Sequence, residues 1–423
     1  MTNSVRAEVI TIGDELLIGQ VVDTNSSWMA RELNDNGIWL KRRVAVGDNR
    51  MDITRALDEE SRDSQIILIT GGLGPTADDI TKPVLCEYFD GKMVVSETAL
   101  ENVKNIFARL ASGRPILERN LKQAEVPDTC TVINNLRGTA PGMWFEKNGR
   151  IYVSMPGVPH EMKGMMTDQV IPKLKGYFKM PFILHRTLVT SGIGESALAE
   201  HIQQWESSLP DHIRLAYLPN YGMVRLRMTG NSESRDELGS ELDKQFDQLR
   251  SLVAEWLVID KDQSLQQVVS DLLKTHGKTL ATAESCTGGY IAHLLTAESG
   301  ASVFYRGGVI SYSNDVKESV LRVNHNTLLN EGAVSEETVK QMVQGGLLRL
   351  NTDYCVAVSG IMGPGGGSDE KPVGTVWVAA GSRDQVITHK FHFRFTRQRN
   401  IELTANNALN LLRKLILQEV GAG

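Results

Sequence analysis

Three stretches in the last third of the chain carry residue types suited to attack on a carbonyl. Thr282-Ala283-Glu284-Ser285-Cys286-Thr287-Gly288-Gly289 reads as a strand running into a helix, with two nucleophiles at the turn. The N–H groups of a first helical turn lack intrahelical partners, so Thr287, Gly288 and Gly289 are candidates for holding an anion or an oxyanion. Ser285 and Thr287 are equally good helix caps. A serine hydroxyl needs a base, and a lysine drawn below its ordinary pKa by desolvation supplies one. Lys317 is that candidate, in a second strand–turn–helix stretch, Gly307 to Lys317, that also carries Tyr312. A solvated helix lysine is the plain alternative. Cys286 competes with Ser285, because a thiolate at a helix start is activated by the same field. The third stretch, Ser359-Gly360-Ile361-Met362-Gly363-Pro364-Gly365-Gly366-Gly367, offers Gly360 and Gly363 where backbone can approach a phosphate. Arg397 or Arg399 could pair bidentately with that phosphate, or be surface charge.

A second set lies near the N-terminus. Gly13-Asp14-Glu15 follows the first apolar run, and Asn25 opens the next helix. Gly71, Gly72, Gly74 and Thr76 form a glycine turn that accepts phosphates, followed by Asp78 and Asp79, which could hold a hard divalent cation. Acids in a first helical turn are also simple caps. Glu161 sits in the turn Met155-Pro156-Gly157-Val158-Pro159-His160-Glu161-Met162.

Elements that position these residues follow from periodicity. Apolar runs at 7–12, 65–70 and 151–155 read as strands that each end in a Gly or Pro turn, with helical spacing over 24–36 and 52–62. From 184 onward the order becomes β-α-β-β-α, with strands at 184–190, 214–218 and 223–228 and helices near 195–205 and 234–256. After 260 the α/β alternation returns, with strands at 278–283, 307–312, 353–359, 375–380 and 386–395 and a closing helix over 400–419. The expected fold class is α/β: two α/β sandwich domains, 1–172 and 259–423, separated by a small α+β module, 173–258.

With 423 residues, 41% hydrophobic and 23% charged, the composition is that of a multidomain globular protein. The opening residues form no signal peptide, no apolar run approaches bilayer length, and four scattered cysteines suggest neither disulfides nor zinc. A cytoplasmic location and no membrane partner are expected. A formal net charge of -6 makes nucleic acid an improbable partner. The nine histidines form no evident metal cluster.

The segments AESCTGG, GGVISYSNDVK, EGAVSEETV, SGIMGPGGG and KPVGTVWVA resemble the C-terminal domain of the CinA family, the nicotinamide-nucleotide amidohydrolases, over nearly all of 262–418. The resemblance implies a serine–lysine site at Ser285 and Lys317, with Tyr312 close by and an arginine on the substrate phosphate. Residues 396–400 depart from the commoner Gly-x-Arg form, so Arg397 and Arg399 both stand. It also implies hydrolysis of nicotinamide mononucleotide to nicotinate mononucleotide and ammonia, with no cofactor. Residues 5–170 resemble the CinA N-terminal domain, similar in turn to the molybdopterin-binding MoaB/MogA fold. There the resemblance implies ADP-ribose pyrophosphatase activity with a divalent metal, magnesium or cobalt, and potassium. The middle module resembles the KH-like insert of the same proteins, without a G-x-x-G clamp. Small nucleotides are the implied ligands and a homodimer the implied assembly. The rival readings are a molybdopterin-binding protein and a competence or recombination accessory protein without amidase activity.

Overall fold

The structure is a computed structural model that describes residues 5–76, 79–109, 116–220, 222–261 and 263–421. Asp78, one of the two metal candidates, lies outside the described residues. The chain divides into two compact units, Met1–His185 with Thr229–Leu242, and Arg186–Met228 with Asp243–Gly423.

In the first unit a six-stranded sheet runs in the order Trp39–Val46, Arg6–Ile12, Ile66–Thr70, Arg150–Met155, Gly142–Lys147, Thr131–Ile133. The first four strands are parallel, Gly142–Lys147 pairs antiparallel to the fourth, and Thr131–Ile133 pairs antiparallel to Gly142–Lys147. Arg6–Ile12 and Ile66–Thr70 are almost wholly buried, as strands covered on both faces must be. Alternate residues feed two separate cores. Val9 and Leu68 pack with Met29, Leu33 and Met165 on one face, and Ile10, Ile67 and Ile69 with Ile53, Leu57 and Leu85 on the other. Trp39–Val46, unrecognised in the sequence, is an edge strand whose Lys41-Arg42-Arg43 run interrupts the apolar signal and protects the edge.

Residues 182–259 hold a four-stranded sheet, ordered Ile213–Asn220, Met223–Ser232, Phe182–Ser191, Leu257–Ile259, and the helices Glu195–Glu206 and Arg235–Leu252. The β-α-β-β-α order is the one expected, extended by the short strand Leu257–Ile259.

In the second unit the five-stranded sheet runs Tyr305–Ile310, Leu280–Glu284, Tyr354–Gly360, Thr375–Gly381, Val386–His392. The first three strands are parallel, and the last two join antiparallel. Leu280, Val356 and Val358 face Val269, Leu273, Leu409 and Leu412 of the helices Leu265–Thr275 and Arg397–Val420. Ala281, Ala283 and Ala357 face Val339, Met342 and Val343 of the helix Glu336–Leu350. Because the three parallel strands end level, the turns that follow Glu284, Ile310 and Gly360 meet at one sheet edge, where ligands of parallel sheets bind.

Gly71 closes the glycine turn of the first unit at φ +113°, and a Cβ there would collide with the carbonyl oxygen of Ile12. Gly71→Ala is expected to destabilise the first unit by about 2 kcal/mol or more, read as a lowered thermal transition. An unmoved transition would show that this close approach does not constrain the turn.

Candidate active site

Strand pairing continues one residue past Glu284. The Ser285 N–H donates to the Val358 carbonyl at 3.1 Å, and the Ser311 N–H to the Glu284 carbonyl at 2.7 Å. These bonds place three turns around a cavity of about 180 Å³. Ser285, Cys286, Tyr312, Lys317, Gly360 and Arg397 line it, together with Asn314, which sequence reasoning did not single out.

Lys317 stands on the short helix Asn314–Ser319, capped by the Ser313 hydroxyl. It is only 1% exposed, beside a Ser285 that is 8% exposed. Its Nζ lies 3.0 Å from Ser285 Oγ and donates to the Ser311 carbonyl at 2.7 Å. Among the described residues no carboxylate reaches it. Burial without a counter-charge holds the amine below the usual lysine range, opposed weakly by Cys286. A buried amine of lowered pKa within hydrogen-bond reach of a hydroxyl has the geometry that a general base needs.

Burial acts in the opposite sense on Cys286, whose thiol is pushed up to about 12. Its side chain belongs to the apolar core shared with Ile291 and Met362. Thiolate is therefore scarce near neutral pH, which counts against Cys286 as the nucleophile.

Arg397, at the first turn of the long C-terminal helix, donates to the Tyr312 hydroxyl at 3.0 Å and to the Gly363 carbonyl at 2.8 Å. Gly363 thus holds the arginine through its carbonyl. Arg399 instead packs over the Phe395 ring at 5.3 Å and does not line the cavity. Tyr312 is 64% exposed, at the mouth. Thr287 and Gly289 are turned to another use: the Thr287 hydroxyl and the Gly289 N–H both donate to the buried Glu284 carboxylate, at 2.7 and 3.1 Å. Gly288 has a positive φ of 62° and open space around it.

The first unit contains a larger cleft, about 480 Å³, whose lining includes Glu15, Gly71, Gly72, Gly74, Asp79 and Glu161. Asp14, Asn25 and Thr76 do not line it. Asp14 exchanges hydrogen bonds with Asp48, each backbone N–H donating to the other's carboxylate, and Asn25 donates to the Gly157 carbonyl at 2.7 Å. Asp79 closes its own loop, accepting from the N–H groups of Gly74 and Thr76 and from the Thr76 hydroxyl. Burial raises the pKa of Glu161, partly offset by a bond from Asn135. A divalent cation is therefore a poor fit to the described residues: the Asp79 oxygens are engaged, and no group of three ligating side chains forms among them.

Sequence reasoning missed Lys82. It is buried, donates to the carbonyls of Gln123 at 2.6 Å and Glu125 at 3.2 Å, and burial lowers its pKa to about 8. Nothing in Thr81-Lys82-Pro83 distinguishes it from a surface lysine.

Fold and sites together define a multidomain α/β protein with one cleft at a strand-end edge of each unit. Residues 262–416 match the family model for the CinA C-terminal domain, 8–176 that for a "Probable molybdopterin binding domain", and 185–258 that for the "Damage-inducible protein CinA KH domain". A CinA-like protein of Cytophaga hutchinsonii is 45% identical over 414 residues, 98% of this chain and 99% of that one. Another, of Flavobacterium psychrophilum, is 39% identical with the same coverage. The crystal structure of a competence/damage inducible protein from Agrobacterium tumefaciens is 39% identical, covering 36% of this chain and 94% of that one at a TM-score of 0.35. The chain belongs to the CinA family.

A folded-state lysine pKa below its unfolded value means that the unfolded chain binds the extra proton, so stability rises with pH up to the ordinary lysine pKa. Lys317→Met is accordingly expected to melt above the wild type at neutral pH, with the gap closing as pH approaches 10.5. A gap independent of pH in thermal melts would place Lys317 in the ordinary lysine range.

Proposed function

We propose that the second unit hydrolyses the carboxamide of nicotinamide mononucleotide, giving nicotinate mononucleotide and ammonia. The observation that carries this reading is the buried Lys317 amine 3.0 Å from the Ser285 hydroxyl. A neutral amine has two N–H bonds and one lone pair. One N–H bonded to the Ser311 carbonyl leaves the lone pair available to the Ser285 proton. Ser285 Oγ bonds to the amide carbon as its proton passes to Lys317 and the carbonyl π pair moves onto oxygen. The tetrahedral adduct then collapses, the C–N bond breaks, and the proton returns from Lys317 to the departing ammonia. Water, deprotonated by the same amine, attacks the resulting ester and releases the acid and Ser285. Among the described residues Arg397 is the one guanidinium that lines the cavity, and it would pair with the phosphate.

Ammonia release from nicotinamide mononucleotide tests the reading. Wild type and Cys286→Ala are expected to release it, while Ser285→Ala and Lys317→Ala lose about a thousandfold or more in kcat. Loss in Cys286→Ala alone would transfer the attack to the thiol, and a silent wild type would end the reading.

A second reading attaches to the first unit: cleavage of ADP-ribose with magnesium or cobalt and potassium, supported by the glycine floor at Gly71, Gly72 and Gly74. The described side chains form no cation cage of three carboxylate, thiol or imidazole ligands. AMP release from ADP-ribose under these ions is the expected outcome, and none with either metal would leave the cleft as a binding site. Copurification of a pterin would then favour the molybdopterin reading. The working assembly we infer is a homodimer in the cytoplasm, a setting consistent with four free cysteines. No helix among the described residues is long and apolar enough to cross a membrane.

A further inference from the structure

A backbone inventory of the Ser285 turn points to a residue that the amidase reading does not use. Of the N–H groups from 288 to 293, three serve carbonyls within the segment: Gly288 donates to Ser285, Tyr290 to Thr287 and His293 to Gly289. The other three end on one side chain. Gly289 and Ile291 donate to Glu284 Oε2 at 3.1 and 3.0 Å, and Ala292 to Oε1 at 2.8 Å. The Thr287 hydroxyl adds a fourth bond at 2.7 Å. Glu284 is 1% exposed, so this carboxylate occupies, from inside the protein, the concentration of donors that an external anion would otherwise take. Among the described residues, and directly after Ser285, the Thr287 N–H donates to no protein acceptor and the Cys286 N–H to none beyond its own thiol, and Cys286 lines the cavity.

We propose that Glu284 is a positioning residue for the Ser285 chemistry. By gathering the Thr287 hydroxyl and three N–H groups behind the turn, it fixes the Ser285 hydroxyl against Lys317. It also leaves the N–H groups of Cys286 and Thr287 for the oxyanion of the tetrahedral adduct. Phosphate is excluded from the helix start and falls to Arg397. This rests on the reading of Ser285 as nucleophile.

The test compares Glu284→Gln and Thr287→Val with wild type and Ser285→Ala in the full chain, measuring kcat, KM, affinity for nicotinate mononucleotide and thermal stability. An amide accepts at one oxygen only, so Glu284→Gln is expected to lower kcat by about tenfold to a hundredfold, the scale of a lost oxyanion donor. KM and product affinity should stay within about twofold, because ground-state binding does not use the oxyanion. The kcat pH profile should keep the wild-type inflection, since Lys317 keeps its surroundings. Thr287→Val, which removes a single bond, should show the same split at smaller size, and it decides the matter if Glu284→Gln does not fold. Variants whose kcat per folded molecule equals wild type, or whose KM rises and product affinity falls along with the loss in kcat, would overturn the proposal. A wild type that releases no ammonia, or a Ser285→Ala that still does, removes the amidase reading and the proposal with it. That failure is distinguished by its appearance in the controls.

Discussion

Burying a lysine ammonium without a counter-charge carries a large cost, and that cost lowers the affinity of the amine for its proton. Everything at the C-terminal cavity depends on that. Lys317 reaches the end of the parallel strands from a six-residue helix, meets a carbonyl and a hydroxyl, and finds no carboxylate among the described residues. The same desolvation that makes its amine a base makes the Cys286 thiol a poor nucleophile, because burial suppresses whichever form is charged. One physical effect thus bears on both proposed roles.

Level strand ends make this burial possible. Ser285 and Ser311 extend the ladder beyond Glu284, so the turns that lead to Ser285 and to Lys317 are tied to each other by backbone bonds. Supporting groups behind these turns, Glu284 under the Ser285 turn and the Gly363 carbonyl under Arg397, hold positions rather than react. The first unit uses the same strand-end logic for a different surface. Its cleft is lined by Glu15, Asp48, Asp79 and Glu161 and by no described lysine or arginine, while its one strongly perturbed lysine, Lys82, is spent on two carbonyls.

Much of this was legible in the sequence where the signal is local. Continuous apolar runs gave the central strands nearly to the residue, because both faces of those strands are covered. Amphipathic or charged edge elements such as Trp39–Val46 were not, since their pattern is set by what the sheet edge faces. Family motifs carried the choice of Ser285 and Lys317. Local spacing could not show Lys317 buried, because Asn314-Asp315-Val316-Lys317-Glu318 reads as a solvated first turn and only the neighbouring strand ends enclose it. Glu284 escaped notice for a similar reason: its partners extend to Ala292 through a turn whose curvature no periodicity encodes. Arg397 and Arg399 differ by two positions on a helix, and that phase difference turns one to the cavity and the other to Phe395.

The central claim is that Lys317 is uncharged at a pH where the surface lysines are charged, and it can be observed directly. With lysine labelled at the ε carbon, an NMR pH titration should contain a resonance that titrates below the ordinary lysine range and is absent from Lys317→Met, separate from the one lost in Lys82→Met. If the resonance removed by Lys317→Met instead titrates with the surface lysines, the amine is charged at neutral pH. The serine–lysine account of this cavity would then be contradicted.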